Sequence, residues 1–428
     1  MSLSNITKPP LLDGTGQALL HKMDTLNGEI SRQNLLLSRL VTSSEADSVA
    51  TLQEIHEIVR AGEAADVFSI GDQINVNYND GTNSYVLPFD IVHFADVELQ
   101  DGETVPGMFI ESHYAMEGCQ FSQNNAFYVV PAGGLSAGDY YFTMGNSWGS
   151  NVVANKSYTF TLTEGYSEGD LLQLGTASSE ISGLPDVAPS NWRVRTYKAS
   201  GSTPASMAAS PTETLTLSEG NTGTFLGTLS SSTKYGTSGM NNMQRSAYGY
   251  NRWSQSALRQ RLNSAAAVGT WWSAKNPYDR RPTELSTLRG FMAGFDDAFL
   301  NILKPVKVRT ALNTVTDGDI GTYEDTYDTF FPASLEQEYI VPQLSGVEGD
   351  YWEYWKRRTG ATDFQAQYGT YPTRIRYAYN SRSAAQNCRL RSAIRGYAYI
   401  TWYVSTSGSV GIYYATYSSR CAPACVIC

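Results

Sequence analysis

No acidic residue follows Asp363: the last 65 positions carry seven arginines (Arg374, Arg376, Arg382, Arg389, Arg391, Arg395 and Arg420), no lysine and no carboxylate. Such a segment cannot neutralise itself. Its guanidinium groups either pair with acids from the first 363 residues or form a basic surface. The whole chain stands at −10, so the earlier residues carry −17 against +7 for the tail. Arginine interleaved with tyrosine is also how single-stranded nucleic acid is held, with bases stacked on the rings. The acidity of the whole favours pairing within the chain, and nucleic acid is not expected as a partner.

Charged residues make up only 17% of the sequence, and 37 glycines and 28 tyrosines stand in their place, a vocabulary of strands and turns. At 428 residues the chain has room for about three domains. Residues 1–65 read as a helical oligomerisation or attachment segment, because Leu19, Leu26, Gln33 and Leu40 alternate with Met23, Ile30 and Leu37 at heptad spacing. The same stripe also suits an amphipathic helix packed on its own domain. A second helix follows Ser43-Ser44-Glu45, with Val49, Leu52, Ile55 and Val59 inward and Gly62 at its end.

Residues 66–175 read as a β-rich module: Phe68 to Val76 alternates with period two and meets an Asn79-Asp80-Gly81 turn before Tyr85-Val86-Leu87. Further strands are expected at 91–99, 140–144, 158–162 and 171–174. Residues 176–428 open with loops around two strands, 192–197 and 214–217. Two helices are expected next, one through Trp253, Ala257, Leu258 and Leu262, the other through Phe291, Phe295, Ala298, Phe299 and Ile302, stopped by Pro305. The expected class is therefore α+β. No apolar run nears the roughly 18 residues of a membrane span, and the first ten residues lack a signal-peptide pattern, so no membrane insertion and folding in a cytoplasm are expected.

Catalytic signatures are sparse. All four histidines (His21, His56, His93 and His113) precede residue 114, so the C-terminal part cannot build a Ser-His or Cys-His nucleophile by itself. No phosphate-binding loop or HExxH is present. Carboxylates suffice for a two-acid glycosidase, but no pair singles itself out. Cys421-x3-Cys425-x2-Cys428 has zinc-like spacing without a fourth ligand or nearby histidine, and reads as small packed thiols. No catalytic residue, metal or cofactor is expected.

Ile394 to Arg420 holds six tyrosines among Ser, Thr, Gly, Ala, Ile and Val, the vocabulary of an antibody paratope, although strands also favour tyrosine. Randomising the two adenines of an asparagine codon reaches every residue type except Lys, Glu, Gln, Met and Trp. In these 27 residues only Trp402 falls outside that set.

Leu390-Arg391-Ser392-Ala393, Trp402-Tyr403-Val404, Gly408-Ser409-Val410, Ala415 and Ala422-Pro423-Ala424-Cys425-Val426-Ile427 resemble the C-terminal signature of variable proteins that retroelements diversify in phages and prophages. The run Asn251 to Gln260 and Gly346-Val347-Glu348-Gly349 resemble gut-phage members. The resemblance implies a C-type-lectin-like domain over 176–428 and a receptor-binding role at the phage tail tip, in a virion assembled in the host cytoplasm. Its fixed framework would be Leu390, Arg391, Ser392, Trp402, Val404, Gly408, Val410, Ala415 and Pro423. Its ligand-facing positions would be Ile394, Arg395, Tyr397, Tyr399, Ile400, Tyr403, Ser405, Gly411, Ile412, Tyr413, Tyr414, Tyr417 and Ser419. The implied partners are a host cell-surface protein or glycan, copies of the chain itself in a homotrimer, and other tail proteins. A virion glycan hydrolase and a structural tail or decoration protein are the alternatives. Two departures stand out: Arg389 occupies a place where relatives commonly have Trp, and the calcium motifs of sugar-binding lectins are missing.

Overall fold

The computed structural model describes residues 51–146, 157–162, 164–176, 192–197, 216–218, 223–232 and 239–428, with single positions at 22, 23, 26, 30, 154 and 155. The strands that organise it are, in chain order, β1 (Gln73–Asn79), β2 (Ser84–Glu98), β3 (Thr104–Ser112), β4 (Phe331–Pro332), β5 (Cys388–Ala393), β6 (Ile400–Val404), β7 (Val410–Tyr414) and β8 (Pro423–Ile427).

The β1–β2 hairpin forms where expected. Asp80 accepts the amides of Thr82 and Asn83, and Gly81 takes φ +99°, so the turn closes with Asn79 opposite Ser84. β3 continues the meander. The next strand in this sheet comes from the far end of the sequence: β8 pairs antiparallel with β3, Cys425 opposite Ile110, and β4 borders β8. Helix α1 (Leu52–Arg60), closed by a Thr51/Glu54 capping box, buries Ile55, Ile58 and Val59. These residues join one continuous apolar core that runs from Ile55 to Cys428.

A second, four-stranded sheet combines Gly138–Met144, Ser157–Leu162, Thr216–Ser218 and Thr224–Leu229, the last parallel to the first. Strand makes up 35% and helix 17%, in small sheets with few helices, so the structure is mostly β. This overturns the expected α+β class with an N-terminal coiled-coil-like helix and a C-type-lectin-like closing domain. No N-terminal helical coiled coil is seen among the described residues, and most of the heptad stretch 17–40 lies outside them.

The Phe291 to Ile302 stripe shows why the helical expectation failed. A 3-10 turn, Phe291–Gly294, stops where Gly294 lies against the Tyr78 ring, and an added Cβ there would sit 2.2 Å from Tyr78 Cε2. Asp296 then caps a separate single turn, Asp297–Leu300. The phenylalanines are satisfied by one another rather than by a helix face: Phe291, Phe295 and Phe299 all pack on Phe330. The other expected helix is likewise split, into Trp253–Gln255 and α2 (Ala257–Leu262), with Ser256 capping the latter.

Among the described residues, two of the seven tail arginines pair with distant carboxylates and others bond backbone oxygens. Arg374 meets Glu338 at 2.9 Å with both side chains buried, and Arg376 pairs with buried Glu111 on β3. Arg391 donates to the carbonyl oxygen of Pro332 at 3.1 Å and to those of Glu348 and Arg309, and to the Gln337 side chain. Arg420 reaches the carbonyls of Ala115 and Met116. Arg374, Arg376 and Arg391 are thus buried in the scaffold and present no basic surface, while Arg420 is half-buried.

Candidate functional site

β5, β6 and β7 form an antiparallel sheet in that order, with β7 at its edge. The β6–β7 turn requires glycine at 408: φ is +80°, and a Cβ would lie 2.3 Å from the Tyr371 carbonyl oxygen. The register sets Thr401 opposite Tyr413 and Tyr403 opposite Gly411. Strand alternation puts those four residues on one side of the sheet and Ile400, Trp402, Val404 and Val410 on the other, where all four are buried.

Tyrosine rings link across this region. Tyr403 lies 5.1 Å from Tyr413, Tyr413 stacks on Tyr417 at 4.6 Å, and Tyr417 stacks on Tyr414 at 5.6 Å. Tyr414 stacks in turn on Tyr248 at 4.1 Å, Tyr248 on Tyr399 at 4.9 Å, and Tyr397 meets Tyr399 edge-on at 5.7 Å. Seven rings therefore run continuously from buried to exposed, which fixes the outer rings at small entropic cost.

The residues singled out as ligand-facing divide three ways. Tyr397 and Tyr417 are exposed, at 44% and 47%. Arg395, Tyr403, Ser405, Gly411, Ile412, Tyr413 and Tyr414 are half-buried. Ile394, Tyr399, Ile400 and Ser419 are buried, so they underpin the face and cannot touch a ligand directly. Their strand-and-turn surroundings look alike in sequence; for Ile400 burial is decided by which side of β6 faces the core, and Tyr399 is buried against Tyr248 and Tyr414. All nine framework positions, from Leu390 to Pro423, are buried.

Sequence reasoning missed three residues of the site. Tyr248 supplies the ring between Tyr399 and Tyr414. Arg389, fully buried, donates to the carbonyl oxygens of Tyr414 (3.1 Å) and Tyr417 (2.8 Å) and to the Thr401 hydroxyl. Among the described residues no carboxylate stands within ion-pair distance of it, and burial pushes its pKa down to about 10. Asn251, also fully buried, donates its side-chain amide to the carbonyl oxygens of Tyr397 (2.8 Å), Ile400 (2.9 Å) and Ile394 (3.3 Å). The departure at Arg389 was visible in the sequence, but its acceptors, two of them backbone carbonyls, were not.

Another cavity, of about 500 Å³, lies between β2 and the 346–352 segment, with Glu98, Lys307, Glu348 and Trp352 in its wall. Beside Asp96 and Asp350, which also line it, two of its carboxylates are engaged: Glu98 holds Lys307 Nζ at 2.9 Å and Tyr327 Oη at 3.0 Å, while Glu348 accepts from the Ala311 amide and the Ser392 hydroxyl. Neither is left free to act as an acid or base on a substrate. The cysteines of the 421–428 stretch are buried free thiols in and beside β8, and burial pushes Cys421 up to about 12 and Cys428 to about 11. Among the described residues no helix is long and apolar enough to cross a membrane.

Residues 227–427 match a family described as a domain of unknown function, DUF6273. The DUF6273 match spans Tyr248, Asn251, Arg389 and every tyrosine of the face. No curated protein and no solved structure matches the chain.

Proposed function

We propose that this chain is a phage receptor-binding protein of the tail tip, which recognises a host cell-surface protein or glycan through the tyrosine face of β6, β7 and their loops. A retroelement would supply the sequence variation at the outward positions. The observation that carries this reading is the partition within one short stretch: framework side chains lie inside, while Tyr397, Tyr403, Tyr413 and Tyr417 reach solvent on strands and turns that the core holds. Rigid amphipathic rings separated by small residues bury area on a partner with little loss of rotamer freedom. The reading assigns no reaction to the protein. Copies joined in a homotrimer would multiply weak single contacts, and other tail proteins would anchor the assembly in the virion.

The test uses purified chain and cells of a panel of bacterial strains. Wild-type protein is expected to sediment with at least one strain, and a Tyr413→Ala/Tyr417→Ala variant to stay in solution with an unchanged melting temperature. Equal retention of the two proteins would overturn the reading. The retroelement has its own test at the locus: a template repeat matching codons 388–428 except at adenines, beside a reverse transcriptase gene. A locus without either would remove that part of the proposal.

A further inference from the structure

In each of the two turns that carry the tyrosine face one buried polar side chain gathers several acceptors, mostly backbone oxygens, beside single bonds from Gln120 to the Thr416 carbonyl at 2.6 Å and from Thr314 to the Arg395 carbonyl at 2.9 Å. Arg389 on β5 binds the carbonyls of Tyr414 and Tyr417 across the turn that follows β7. Its third acceptor is the Thr401 hydroxyl on β6, itself buried. Asn251 binds the carbonyls of Ile394, Tyr397 and Ile400 across the β5–β6 connection, and its own amide donates to the Ala398 carbonyl at 3.0 Å. Asn251 is oriented in its turn, since its side-chain oxygen accepts from Asn313 Nδ2 at 3.0 Å. Carbonyl oxygens are present whatever side chain a residue bears. A turn fixed through them keeps its shape when its side chains change.

We infer that Arg389 and Asn251 are positioning residues that uncouple the shape of the tyrosine face from the identity of the side chains it displays. This deepens the binding reading above and rests on it for its purpose, but the geometry can be tested without any ligand. Each residue governs its own turn: Arg389 the stretch 414–417, Asn251 the stretch 394–400. The seven-ring stack is then a consequence of the held backbone and not the cause of it. Arginine suits the first place because one planar group reaches three acceptors that diverge from a single point, which an ammonium on a flexible stem does not reproduce. Asparagine suits the second because its amide donates while its oxygen accepts.

Backbone amide hydrogen exchange, read by mass spectrometry on the full-length protein, tests this directly. Asn251→Asp removes the donor at nearly constant shape, and Arg389→Lys keeps the charge but loses the fork. Asn251→Asp is expected to speed exchange by about tenfold or more in peptides covering 394–400 while leaving 414–419 unchanged, and Arg389→Lys to do the reverse. A third variant, Tyr403→Ser/Tyr413→Ser/Tyr417→Ser, strips the outer rings and is expected to leave exchange in both turns within about twofold of wild type. The inference is overturned if the serine variant opens the turns while Arg389 and Asn251 are intact. It is overturned equally if either positioning variant leaves its turn protected, or accelerates exchange uniformly across the molecule as general destabilisation would. Should Arg389→Lys fail to fold, Thr401→Ala, which removes one acceptor, reads the same turn. A serine variant that keeps its exchange pattern yet still sediments with cells would sink the binding reading while leaving this inference standing.

Discussion

Tyr414 and Tyr417 are neighbours in sequence and in the ring stack, yet their expected roles differ. Tyr417 is exposed, whereas Tyr414 lies 4.1 Å from buried Tyr248, in the layer that also contains Tyr399. Tyr399→Ala should therefore cost about 3 kcal/mol by leaving a cavity under the face, and Tyr414→Ala a smaller part of that. Tyr417→Ala should leave the melting temperature nearly where it is, and thermal unfolding of the three single variants checks the ranking. The buried arginines give a sharper contrast. Removing Arg374 strands the Glu338 carboxylate, which burial already pushes up, so Arg374→Met is expected to cost about 3–5 kcal/mol in chemical denaturation. The exposed Arg357–Glu353 pair on the helix Glu353–Thr359 should contribute nothing measurable when Arg357 is replaced by Met.

At the scale of elements, β8 has the widest reach. It is five residues long, yet it closes the meander of β1, β2 and β3 on one side and holds β4 on the other. A chain ending at Cys421 is expected to lose protease resistance across 73–112 as well as across 388–414. Loss confined to the C-terminal strands would mean that the meander stands alone. Much of this level was legible in the sequence: the Asp80-Gly81 hairpin, the strands near 140, 158 and 171, and, for Arg374 and Arg376, the pairing of the acid-free tail with upstream carboxylates. What stayed hidden depends on distant partners. Period-3.6 spacing of Phe291, Phe295 and Phe299 could not reveal that the 3-10 turn ends at Gly294, against the Tyr78 ring, and that Asp296 starts a separate turn. Tyrosine content marked the site, but Ile400 is buried by the face of β6 turned to the core and Tyr399 by its packing on Tyr248 and Tyr414, which composition does not encode.

For the molecule as a whole, the ties between distant segments make stability sensitive to acid. Asp90 on β2 is buried, which by itself raises its pKa, but the hydrogen bond from His113 and the nearby Arg376 charge outweigh this and hold it below the ordinary carboxylate value. Tyr354 Oη also donates to it, at 3.0 Å, tying a segment 264 residues away to β2. A depressed folded-state value means that ionised Asp90 stabilises the protein above the ordinary carboxylate range and that this contribution is lost as pH falls through the folded value. Asp90→Asn should accordingly lower the melting temperature at neutral pH and flatten its decline below about pH 4. The central claim remains that a buried frame presents side chains that are free to change. A saturation scan of residues 388–428, scored by retention of protease-resistant folded protein, measures that freedom position by position. Tyr397, Tyr403, Tyr413 and Tyr417 are predicted to accept most substitutions, while Arg389, Arg391, Trp402, Val404 and Gly408 accept almost none. Equal intolerance at the four tyrosines would contradict the account, because those rings would then be holding the fold together.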